Sequence, residues 1–131
     1  MKKIEINGKI PSSFRDPSGY LFYYNGSLYR QINNAYQENY DLLMNSGLYN
    51  TLINADLLIP HKEVDIDRKE SSIAYKIIKP RLIPFISYPY EWCFSQLKNA
   101  ALVTLEIQKK AIEFGMSLKD SSAYNIQFRN G

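Results

Sequence analysis

The chain has 131 residues, 45% of them apolar and 22% charged, which is the size and balance of one folded domain that buries a core without staples. Its net charge of +3 is dispersed among acids, which argues against nucleic acid as a partner. A single cysteine, Cys93, excludes an internal disulfide, and neither a signal-peptide apolar run nor a transmembrane stretch is visible, so a cytoplasmic location without membrane contact is expected.

Residues 2–6 alternate weakly and suggest a short edge strand, and residues 11–19 form a loop dense in turn residues. Residues 20–24 are aromatic and β-prone, and Asn25-Gly26 separates them from the alternating residues 27–32. Two such runs around Asn-Gly predict a hairpin. Asn33 or Asn34 can cap a helix whose Tyr36, Tyr40, Leu43 and Met44 recur at helical spacing up to Gly47. A second short helix is expected over 48–54. His61 follows Pro60 and reads as a surface residue. Residues 61–72 are charged, with a short strand expected over 63–66. Strands are expected over 73–79 and 82–88, the latter at an edge or bulged because Pro84 lacks a ladder donor.

Residues 91–114 read as one long helix. At about 100° per residue, Leu97, Ala100, Ala101, Val103, Leu105, Ile107, Ala111, Ile112 and Phe114 share one wide face. An arc that wide belongs to a helix covered by several neighbours, which makes this a buried helix and predicts that Ala101→Asp unfolds the chain. Gly115 stops the helix in a left-handed conformation. A polar loop and a strand over 126–128 follow. Asn130-Gly131 is a hairpin signal without a second strand, which points to a fragment of a longer protein and to weak self-association through the open strand edge. Strands that precede a dominant helix define an α+β class. The expected organisation is a single N-terminal domain over 1–131, with strands and two short helices over 1–90 and the long helix, loop and strand over 91–131.

Eleven tyrosines are a high share, and without interleaved Arg and Lys they read as sheet and interface surface instead of a base-stacking platform. Tyr88, Tyr90 and Trp92 make an aromatic corner before the long helix. Core packing is the default there, and a docking or ligand groove is the functional alternative. With one histidine, a multi-histidine metal site is excluded.

Asp120 and Asn125 lie five apart between a helix and a strand. In this respect the chain resembles the protein-kinase-like fold, in whose catalytic loop an Asp is followed five residues later by an Asn. The resemblance implies that Asp120 would orient or deprotonate an acceptor hydroxyl and that Asn125 would bind a metal. It also implies that Arg30 or Lys76 would take the place of that family's strand lysine as a cofactor-binding residue, with Glu38 as its helix partner. The hairpin tip lacks the glycine triplet of that family. A turn at Asp120 or Ser121, braced by Asn125, explains the same spacing without chemistry and is preferred for these residues alone.

A broader resemblance covers nearly the whole chain. Residues 16–20 (DPSGY), 27–32 (SLYRQI), 40–49 (YDLLMNSGLY), 58–61 (LIPH), 84–92 (PFISYPYEW), 94–98 (FSQLK) and 116–120 (MSLKD) carry it. They resemble the N-terminal region of bacterial S-adenosylmethionine-dependent methyltransferases related to the nodulation protein NoeA. The resemblance implies an accessory domain for substrate positioning or docking, with a C-terminal methyltransferase domain of the same chain as partner. It implies S-adenosylmethionine as the cofactor of the parent protein and none here, since no Gly-rich strand-turn-helix occurs in these residues.

Overall fold

The computed structural model describes residues 17–66, 72–84, 86–119 and 125–129. The chain falls into two compact units, one from residues 1–42 and 59–81, the other from 43–58 and 82–131. The class is α+β, with a four-stranded antiparallel sheet in the first unit and a long helix in the second.

In the first unit, β1 (Gly19–Tyr24) and β2 (Ser27–Asn33) pair from Gly19 opposite Ile32 to Tyr24 opposite Ser27. Their turn is the expected one, with Asn25 at φ 48° and Gly26 at φ 77°, both in the left-handed region that a two-residue hairpin requires. Gly19 is fixed by close approach, because a Cβ there would lie 2.1 Å from the Gln31 carbonyl oxygen. Then come α1 (Gln37–Asn45) and α2 (Leu48–Asn54). β3 (His61–Val64) and β4 (Ala74–Pro80) complete the sheet in the order β1-β2-β4-β3.

Tyr20, Phe22 and Ile77 form the core on one face of this sheet, with Tyr24, Tyr29, Val64 and Ile66 against them. Phe22 stacks on its cross-strand partner Tyr29. Gln31 is fully buried within that face and has its polar atoms matched. Its Oε1 accepts from the Tyr20 hydroxyl at 2.9 Å, and its Nε2 donates to Asn33 Oδ1 at 2.8 Å.

In the second unit, α2 packs on α3 (Phe94–Glu113) through Leu48, Leu52 and Ala111, with Leu43, Leu57, Ile107, Phe114 and Met116 around them. Both helices end in the same way. Asp56 (φ 55°) and Gly115 (φ 80°) turn left-handed. The next amide then reaches back five residues, Leu57 N–H to the Leu52 carbonyl and Met116 N–H to the Ala111 carbonyl, each at 2.9 Å. Each stop therefore folds an apolar side chain, Leu57 or Met116, into the shared core.

Several expectations are corrected. The long helix starts at Phe94, after a turn over Pro89–Glu91, with Cys93 as its N-cap. The Cys93 amide donates to Gln96 Oε1 at 3.0 Å, which closes the first turn. The described residues of 82–88 form no strand. Pro84 has no amide to donate, and the Ser87 amide donates instead to Gln127 Oε1 at 3.0 Å. Residues 126–128 likewise form no strand, because Gln127 and Phe128 are held by side-chain contacts to Ser87 and Trp92. The strand expected over 2–6 and the turn at 130–131 lie outside the described residues.

The wide apolar arc of α3 is also not buried throughout. Ala100 and Ala111 are buried and Val103 and Ile107 half-buried, whereas Leu97, Ala101, Leu105 and Ile112 are exposed. Helical periodicity reports which positions are apolar, and here only Ile107, Ala111 and Phe114 of them join the core with Leu48 and Leu52 of α2.

Candidate functional site

Register places charged residues of three strands on one sheet face. Arg30 and Glu63 both pair with Ile78, from opposite sides. Side chains alternate along a strand, so Lys76 and His61, each two residues away, share that face. Arg30 and Lys76, the two cations singled out from sequence, are thus brought to one surface. The helix expected to supply a carboxylate there supplies a phenol instead. Lys76 Nζ lies 3.2 Å from Glu63 Oε2 of the neighbouring strand, not against Glu38 of α1. The pair is diagonal across β3 and β4.

Tyr40 of α1 joins this face. It is 3% exposed, and its hydroxyl donates to Glu63 Oε1 at 2.9 Å while lying 3.0 Å from His61 Nε2. A hydroxyl has one proton, and here it goes to Glu63, so the His61 contact requires that Nε2 carry the hydrogen. Next to it, the Tyr75 hydroxyl donates to Asp41 Oδ1 at 2.6 Å, and the Tyr75 ring stands edge-on to Tyr40.

The electrostatics follow from these contacts. The Tyr40 hydrogen bond, reinforced by Lys76, holds the Glu63 carboxyl below its ordinary value. Burial lowers His61, against the opposing pull of Glu63, so the ring is neutral at neutral pH. The Asp41 carboxylate, by accepting its proton, raises Tyr75. A pocket of about 440 Å³ is lined by Glu63 and Lys76 of the network and, among others, by Val64, Ile66, Ala74 and Ile77. The network binds its own charges to one another and clamps α1 onto the sheet. His61 is therefore no free surface residue. Sequence carried one signal for this: His61 and Glu63, two apart on a strand, point the same way.

The kinase-type pair cannot be assembled, because Asp120 lies outside the described residues. Asn125 is described, and it is exposed. Among the described residues, no three His, Cys, Asp or Glu side chains come together as a metal-ligand group.

In the second unit the aromatic corner divides. Trp92 is buried, edge-on to Phe128 at 4.9 Å between ring centroids, and its indole N–H donates to Ser87 Oγ at 3.0 Å. Tyr88 and Tyr90 are exposed, with their rings parallel and 5.6 Å apart. Trp92 is thus the anchor beneath the corner, and the two tyrosines are its outer surface. Cys93 beside them is exposed, and its thiol is lowered by the Ser95 hydroxyl and the Gln96 amide of the first helical turn. Among the described residues no helix is long and apolar enough to cross a membrane.

Neither a protein-family model nor a solved structure matches the chain. It is similar to nodulation protein NoeA of Rhizobium meliloti (strain 1021), at 32% identity over 124 residues. The match takes in 92% of this chain and 25% of NoeA, so the chain spans a quarter of the length of the curated relative.

Proposed function

We propose that this chain is an accessory domain of a larger, nodulation-related protein of the NoeA kind, and that it positions substrate for, or docks upon, a methyltransferase domain elsewhere in that protein. The observation that carries the reading is the match itself, which takes in nearly all of this chain and one quarter of the relative. Two structural features support it. The charged network at Tyr40 is internally satisfied, which suits a scaffold better than a catalytic centre. The second unit carries exposed aromatic and aliphatic side chains, including Tyr88, Tyr90 and Phe94, of the kind that cover another surface. S-adenosylmethionine would bind in the other part of that protein, and the location would be the cytoplasm.

The test compares the longer protein with a form that lacks residues 17–129. The reading expects S-adenosylmethionine to bind both equally, with methyl transfer to the acceptor falling in the deletion form. Calorimetry on the 131-residue chain should show no tight site for the methyl donor. A deletion form that methylates its acceptor as well as the intact protein would remove the accessory role, and a tight one-to-one site in this chain would remove the division of labour.

A further inference from the structure

Five exposed apolar side chains of α3 lie outside the face that packs on α2. At about 100° per residue, Phe94, Leu97, Ala101, Leu105 and Ile112 fall within an arc of about 80°. Phe94 is 82% exposed, Leu97 42%, Leu105 66% and Ile112 61%. Gln108 lies in the same arc, but its side chain is taken up by Ser117 and the Leu118 amide. The side of the stripe away from α2 is bordered by Lys98 and Lys109, both exposed. The exposed Leu102 and, beyond it, Glu113 and Glu106 lie further round the helix. The stripe therefore has an apolar floor along almost the whole helix, and the charges nearest to it on its outer side are both cationic.

We propose that this stripe is the docking surface for an amphipathic helix whose own apolar face is bordered by acidic residues. The inference rests on the accessory-domain reading and names the surface and the partner's chemistry. An apolar stripe on a regular helix is matched by another helix, whose residues at i, i+3, i+4 and i+7 fit between its ridges. The border selects the charge. A second copy of this chain fits poorly. Lys98 and Lys109 stand almost symmetrically about the stripe's centre, so an antiparallel pair of copies would set Lys98 of one against Lys109 of the other. A partner with Glu or Asp in those places turns both contacts from repulsive to attractive.

The test uses the 131-residue chain and two synthetic helical peptides with the same leucine stripe, one bordered by Glu and one by Lys. Calorimetry should show the Glu peptide binding about tenfold more tightly, from two cation–carboxylate contacts in one case and two like-charge contacts in the other. The preference should shrink as salt is raised. Charge reversal at both Lys98→Glu and Lys109→Glu should invert it, and Leu105→Glu should abolish binding of the Glu peptide. All these positions are exposed, and circular dichroism verifies that the variants fold. Equal affinity for the two peptides, no binding of either, or a preference unmoved by the reversal would each overturn the proposal. So would a chain that sediments as a dimer and becomes a monomer on Leu105→Glu, which would make a second copy the occupant. If the peptides do not bind but deletion still lowers methyl transfer, the accessory role stands and docking lies elsewhere. If they bind and deletion has no effect, the stripe stands without that role.

Discussion

In the sheet unit, Tyr40, His61, Glu63 and Lys76 satisfy one another at 2.9 to 3.2 Å. In the helical unit, Phe94, Leu105 and Ile112 lie open along a helix whose opposite side is packed with Leu48 and Leu52. One region has paired its polar groups with one another, and the other has left apolar groups outward. The first pattern gives a fixed surface whose charges are already occupied. The second leaves transferable burial, roughly 25 cal/mol for each Å² of apolar surface still to be removed from water. Exposed apolar surface of that kind, more than the ion pair, is where a partner would gain most.

The sharpest way to break this comparison uses adjacent residues. Ala100 is buried and Ala101 is exposed. Ala100→Asp should destabilise the fold by several kcal/mol, because the carboxylate is buried without a partner. Ala101→Asp should stay within about 0.5 kcal/mol. Chemical denaturation of both variants checks this, and equal losses would mean that the stripe is covered.

Tyr40→Phe tests the closed side. It removes the donor to Glu63 and the acceptor for His61, and should cost about 1–2 kcal/mol in the same measurement. Gly115→Ala should cost about 1 kcal/mol. Its Cβ would meet no atom within 4 Å, so only the left-handed φ of 80° opposes it.

The smallest effect is with pH. The His61 value is lowered in the fold from its ordinary 6.5. The unfolded chain thus binds the proton more readily, and this stability is full above 6.5 and declines as pH falls below it. Glu63, also lowered, adds a second decline once pH drops through the carboxylate range. Melting temperature followed from about pH 7.5 to 5.5 should fall. His61→Gln, which cannot take up the proton, should flatten that slope while leaving the decline from Glu63 at lower pH, in the carboxylate range.

Locally encoded features were legible in the sequence. Asn25-Gly26 specifies its own turn, and Gly115 its own helix stop, because the required φ belongs to the residue itself. The class of the fold followed from the order of such elements. Non-local features were not legible. The Lys76–Glu63 pair depends on the register of β3 against β4, and Tyr40 meets His61 across a separation of 21 residues. Residues 82–88 look extended in composition, yet the Ser87 amide finds a glutamine side chain forty residues away. Apolar spacing in α3 marked both the packed face and the open one, since a leucine reads alike in either place. Of the candidate cofactor residues, Arg30 and Lys76 emerged on one sheet face only once the strand pairing was known.

The core formed by Leu48, Leu52 and Ala111 also has a history during synthesis. α2 is complete at Asn54, and the first residue of α3 is Phe94, forty positions later. The residue of α3 that joins this core, Ala111, is 57 positions after Asn54, so at about 5–20 residues per second a ribosome needs on the order of three to eleven seconds to supply that partner. Throughout that interval Leu48 and Leu52 have emerged without the surface that will cover them, while the hairpin of β1 and β2 can already close. A holdase that recognises short apolar helices would find its substrate in that window, and slowing translation between residues 54 and 94 would lengthen it.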